Sequence, residues 1–83
     1  MASPIRFKSS VIRDLNHLDP ATAERIIREI EDTIGSDPTI GEPLSGEFKG
    51  LLRYRIGEYR VIYARYPDSV LIVRIGHRRS VYR

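Results

Sequence analysis

Residues 51–66 read LLRYRIGEYRVIYARY, and this stretch decides the fold. Apolar and basic residues alternate from Leu51 to Ile56, and alternation resumes at Tyr59, with Gly57-Glu58 between. A period of two marks a half-buried strand, and a two-residue loop with Gly first suits a type II′ hairpin turn. That loop sets the register: Ile56 opposite Tyr59, Arg55 opposite Arg60, Tyr54 opposite Val61 and Arg53 opposite Ile62. Side chains alternate between faces, so Leu52, Tyr54, Ile56, Tyr59, Val61 and Tyr63 share one face. Arg53, Arg55 and Arg60 share the other. Like charges directly opposite each other on a sheet are destabilising. The arrangement therefore asks for an anion between them, and phosphate is the natural one.

Working outward, residues 70–75 (VLIVRI) predict a third strand behind the turn Pro67-Asp68-Ser69. A three-residue loop pairs Tyr66 with Val70, and so sets Arg74 opposite Ile62 and Gly76 opposite Arg60. A two-residue loop would drive Arg74 into the apolar face. With three, Arg74 joins the arginines, while Leu71, Val73 and Ile75 join the core face.

Upstream, Pro4 to Lys8 predicts a short, extended first strand. Ser9-Ser10 offers an N-cap to a first helix with Val11, Ile12, Leu15 and Leu18 at helical spacing. Asp19 caps a second helix, Pro20 occupies its first turn, and Ala23, Ile26, Ile27, Ile30 and Ile34 form one stripe before Gly35 and Pro38 end it. Residues 37–50 read as a loop without periodicity. The expected fold is α+β, with two N-terminal helices packed on one face of a small antiparallel sheet and the opposite face open.

The 83 residues make one domain, 1–83, with room for one modest core. The absence of cysteine excludes disulfide and thiolate–metal chemistry and favours a reducing compartment. The N-terminal residues form no signal-like apolar run and no segment is long enough to span a bilayer, so a cytoplasmic protein is expected. The net charge of +3 conceals an asymmetry: residues 1–47 carry five basic and nine acidic side chains, and residues 48–83 carry nine and two. Arginine supplies twelve of the fourteen cations, and its planar fork suits bidentate phosphate contacts. The basic half points to nucleic acid or an acidic protein partner.

Three stretches together form a familiar pattern: Leu44-Ser-Gly, then LLRYRIGEYRVIY from Leu51, then IGHRRSVY from Ile75. The chain resembles the RelE family of the RelE/ParE toxin superfamily over nearly its whole length. The resemblance implies the toxin of a type II toxin–antitoxin pair, bound and silenced by a RelB-like antitoxin. It implies a ribosome-dependent mRNA endoribonuclease that enters the ribosomal A site, touching mRNA and rRNA, with no metal, cofactor or membrane involved. In the implied reaction the ribose 2′-hydroxyl attacks the adjacent phosphate. Among members that carry a C-terminal helix, the antitoxin displaces it. This sequence has no counterpart after Tyr82-Arg83, so covering of the basic face or exclusion from the ribosome is the expected inhibition.

By the same resemblance Arg60 matches the family's central transition-state arginine and Arg78 its second. Arg53 and Arg55 stand where the best-known bacterial members carry lysines; a guanidinium grips phosphate but is a poor general base. Tyr82 matches a family tyrosine that stacks on a base or assists proton transfer, with an apolar anchor as the plain alternative. The catalytic candidates are thus Arg55, Arg60, Arg78 and Tyr82. Arg53, Arg74, Arg79, Lys49 and His77 are RNA-binding candidates. His77 has the chemistry of an acid or base, although strict alternation points it away from the arginines. Glu47 and Glu58 are candidate arginine partners, and no carboxylate pair, metal-ligand spacing or glycine-rich phosphate loop is present. Tyr54, Tyr59 and Tyr63 are expected to pack in the core. The rival functions are a ParE-like toxin that binds DNA gyrase and a non-enzymatic basic module for RNA or protein.

Overall fold

The computed structural model describes residues 3–79. Strand β1 (Ile5–Phe7) leads into helices α1 (Ser9–Asn16) and α2 (Pro20–Thr33). The two-residue strand β2 (Glu42–Pro43) and a 3-10 turn (Gly46–Phe48) follow, then β3 (Leu52–Ile56), β4 (Tyr59–Tyr66) and β5 (Ser69–His77). One sheet results, in the order β1-β5-β4-β3-β2. It is antiparallel except that β1 runs parallel to β5. The expected α+β class holds. The first strand expected within Pro4 to Lys8 is present, and its pairing with β5 adds one parallel pair to the otherwise antiparallel sheet.

The helices end where local chemistry ends them. The Asp19 carboxylate accepts from the backbone N–H groups of Ala21 and Thr22, with Pro20 in the first turn, so orphan donors of α2 are satisfied. Helix α1 instead begins after Lys8, which offers no side-chain cap, so the capping role expected of Ser9-Ser10 is not realised; both serines lie inside the helix. Val11, Leu15, Ile26, Ile30 and Ile34 are buried against Ile56, Val61, Tyr63, Val70, Ile72 and Ile75 of the sheet. Ile12 points to solvent instead. Leu52, Tyr54 and Tyr59 pack against this cluster, half-buried, so all three tyrosines serve the core.

The β3–β4 hairpin has the expected register throughout, including Arg55 opposite Arg60. Gly57 has φ +58° and Glu58, like every described non-glycine residue, avoids positive φ. That combination fits a type II′ turn.

The β4–β5 connection differs from expectation. Tyr66 pairs with Ser69, so the loop is the two-residue Pro67-Asp68. Its register would have put Arg74 on the helix side, but the ladder slips by one between Ile62 and Tyr63: Tyr63 pairs with Ile72 and Ile62 with Arg74. Val73 is the extra residue of a β-bulge. Before the bulge Val70 and Ile72 face the core; after it Ile75 does. Leu71 and Val73, expected in the core, belong to the other face. Alternation cannot reveal a bulge because the extra residue resets the pattern.

Two further corrections concern residues 37–50. Glu42 and Pro43 form a short edge strand opposite Arg53 and Leu52, within the stretch read as loop. Tyr63, fully buried, anchors that loop: its hydroxyl donates to the Pro38 carbonyl at 2.8 Å and accepts from the Gly41 N–H at 2.9 Å. Burial raises its pKa above the ordinary value of 10.0. Gly41 is required here, because a Cβ would stand 2.6 Å from the Tyr63 hydroxyl. The same loop then carries Phe48 onto the outer face, which is therefore only partly open.

Candidate nucleic-acid interface

The outer face is ordered in rows across the strands. One row runs Glu42, Arg53, Ile62, Arg74 from β2 to β5; the next runs Arg55, Arg60, Gly76. The ladder continues one step beyond β5, since the Arg78 N–H donates to the Glu58 carbonyl at 2.9 Å. Alternation along β5 therefore gives Arg74, Gly76 and Arg78 the same face.

Arg55 and Arg60 form the centre. Directly opposed residues have Cβ atoms about 5 Å apart, so the pair places two guanidinium stems side by side. Arg60 is half-buried and its Nη1 lies 3.4 Å from the Tyr59 carbonyl, while Arg55 is exposed. Gly76 offers no side chain on the other flank of Arg60. Arg55 flanks Arg60 across the sheet, and Arg74 and Arg78 share that face at the neighbouring edge, on either side of Gly76. Neighbours at i±2 on a strand are about 6.7 Å apart, so the four cations form one basic patch on the outer face.

Carboxylates tether the rim. Arg53 Nη2 lies 3.3 Å from Glu42 Oε2, its cross-strand neighbour, and Arg78 Nε lies 3.0 Å from Glu58 Oε2. Glu58 was legible as an arginine partner. Glu42 was not, because a two-residue edge strand shows no periodicity. The Arg74 guanidinium stacks over the Phe48 ring at 5.8 Å, a cation–π contact invisible without knowing how the 46–50 loop folds.

The remaining candidates lie elsewhere. His77 pairs with Tyr59 in the ladder and meets its ring edge-on, centroids 6.0 Å apart. It therefore sits on the helix-side face, as alternation required, and Gly76 does not turn it toward the arginines. Its Nδ1 accepts from the Arg79 N–H at 3.3 Å, and Arg79 is exposed beyond the strand. Lys49 closes the 3-10 turn, exposed. Tyr82 lies outside the described residues. Among the described residues no three His, Cys, Asp or Glu side chains gather as metal ligands, and no helix is long and apolar enough to cross a membrane.

Residues 5–82 match the family model of the ParE toxin of the parDE type II toxin–antitoxin system. The comparison with curated proteins returned no match. Among solved structures, the chain resembles one from the RelBE2 toxin–antitoxin complex of Mycobacterium tuberculosis, at 28% identity and TM-score 0.87, covering 94% of this chain and 100% of that one. It resembles one from the archaeal RelE–RelB complex of Pyrococcus horikoshii at 24% identity and TM-score 0.73, covering 98% and 100%. E. coli toxin RelE in complex with an antitoxin RelBc peptide is similar at 17% identity and TM-score 0.75, covering 93% and 84%. The last two likenesses concern the fold alone.

Proposed function

This chain belongs to the ParE toxin family of type II toxin–antitoxin systems, within the RelE/ParE superfamily, and on the chemistry of its arginine face we propose that it is an endoribonuclease that cuts mRNA in the ribosomal A site. The observation that carries this reading is the opposed pair Arg55 and Arg60 beside Gly76, flanked by Arg74 and Arg78. A purely structural sheet face has no use for directly opposed like charges; a phosphodiester does.

In the proposed reaction the ribose 2′-oxygen attacks the adjacent phosphorus and loses its proton. The bond from phosphorus to the 5′-oxygen breaks, and that oxygen takes up a proton. The products are a 2′,3′-cyclic phosphate and a 5′-hydroxyl. Negative charge gathers on the non-bridging oxygens in the transition state, and preorganised cations aimed at it lower the barrier, each by on the order of 10²–10³ in rate. Arg60, held half-buried, is the central donor, with Arg78 and Arg55 completing the grip. Arg53, Lys49 and Arg79 bind the flanking backbone. Neither Arg55 nor Arg53 takes the proton; by the family resemblance, stacking or proton transfer is the role given to Tyr82. Alignment of the substrate by the ribosome supplies much of the remainder. A RelB-like antitoxin covering the basic face would be the natural inhibitor.

The match to the ParE model favours a second reading, a toxin that binds DNA gyrase and cuts no RNA. Primer extension on mRNA after induction separates them. Discrete cuts within codons support the endoribonuclease; DNA-damage signals without cuts support the gyrase reading.

A further inference from the structure

One step from the arginine pair, the outer face holds a pit of about 290 Å³ lined by Lys8, Phe48, Leu51, Ile62, Val73 and Arg74. Its floor, Ile62, is 1% exposed yet lies outside the helix-side core. The bulge builds the pit, because it turns Val73 and Arg74 to the same side of β5, opposite Ile62. Bulges beside functional sites commonly re-aim a side chain in this way. Phe48 forms an aromatic wall with the Arg74 guanidinium over its ring, and Lys8 adds a second cation at the rim.

An apolar floor, an aromatic plane and a cationic rim are the elements with which proteins hold a base of a single-stranded nucleic acid while its phosphate stays on the cations. Ile62 and Arg60 are two residues apart on β4, about 6.7 Å, a step that one nucleotide of an extended strand covers. Charge complementarity selects the occupant: an apolar peptide side chain would fill the pit without using Lys8 or Arg74.

We propose that this pit is a base-binding subsite for the nucleotide next to the scissile phosphate, with Phe48 and Arg74 stacking on the base and Lys8 contacting its phosphate. The inference rests on the endoribonuclease reading above and adds a source of base preference that belongs to the toxin itself. The preference falls at one fixed position relative to the cut.

The test is sequencing of 5′-hydroxyl mRNA ends in a translating extract with the full chain, Phe48→Leu, Phe48→Trp and Val73→Phe. The native protein is expected to favour certain bases at one flanking position by roughly tenfold, the scale of one stacked base. Phe48→Trp retains that preference. Phe48→Leu and the pit-filling Val73→Phe flatten it, and cutting at other sites persists. A preference unchanged in both flattening variants, or absent from the native protein, overturns the subsite alone. No new 5′-hydroxyl ends from the native protein overturns the endoribonuclease reading and the subsite with it.

Discussion

Glu58 and Arg78 are joined twice across the open end of the β4–β5 pair, by a backbone hydrogen bond of 2.9 Å and a side-chain ion pair of 3.0 Å. The backbone bond positions the arginine; the carboxylate competes with any phosphate for its guanidinium. The Arg78 and Glu58 side chains are 50% and 62% exposed, and such surface pairs contribute at most about 1 kcal/mol. Glu58→Gln is therefore expected to leave thermal stability nearly unchanged while tightening RNA binding. The salt dependence of binding should steepen by about 0.7, one further phosphate contact on a single strand. Titration of a non-cleavable RNA at several salt concentrations reads both.

Arg60→Ala separates function from stability. Cleavage should fall by on the order of 10²–10³. The melting temperature should hold or rise, because the substitution relieves the repulsion from Arg55. A parallel loss of stability and activity would instead make Arg60 a structural residue.

The Tyr63 hydroxyl is a structural tie, and its loss should be costly. Tyr63→Phe strands the Gly41 N–H and the Pro38 carbonyl, at about 1–3 kcal/mol. Because burial raises the folded pKa of Tyr63 above 10.0, the unfolded chain ionises first. Its contribution is full below pH 10 and is lost as pH rises through the folded value. Urea unfolding of the native protein and Tyr63→Phe should thus converge above pH 10. A difference constant from pH 8 to 11 would contradict this account.

The bulge yields a test of register. Ile72 is fully buried on the helix side, whereas Leu71 lies on the outer face opposite Ala64. Ile72→Lys buries an unpaired charge and should prevent folding. Leu71→Lys should cost no more than about 1 kcal/mol. Equal damage from both would place the bulge elsewhere.

The β3–β4 hairpin was legible because three signals agree there: alternation, a Gly-first two-residue loop and an apolar face matched across the strands. The caps of α2 were equally plain in Asp19 and Pro20. The β4–β5 register is only half legible. A three-residue loop and a two-residue loop followed by a bulge place Arg74 opposite Ile62 alike, and they differ in the faces taken by Val70, Leu71, Ile72 and Val73. The roles of Phe48, Lys8 and Glu42 were not legible, since each depends on how an aperiodic loop or an edge strand returns to the sheet. Contacts of that kind leave no local pattern in a chain.

The most direct measurement is the yield of 5′-hydroxyl mRNA ends in a translating extract supplied with the native chain or with the Arg60→Ala, Arg78→Ala double variant. Abundant new ends within codons from the native chain, and their loss in the folded double variant, are the predicted result. Equal yields from the two proteins, or no ends from either, would contradict the proposal that these guanidinium groups act together on a phosphodiester.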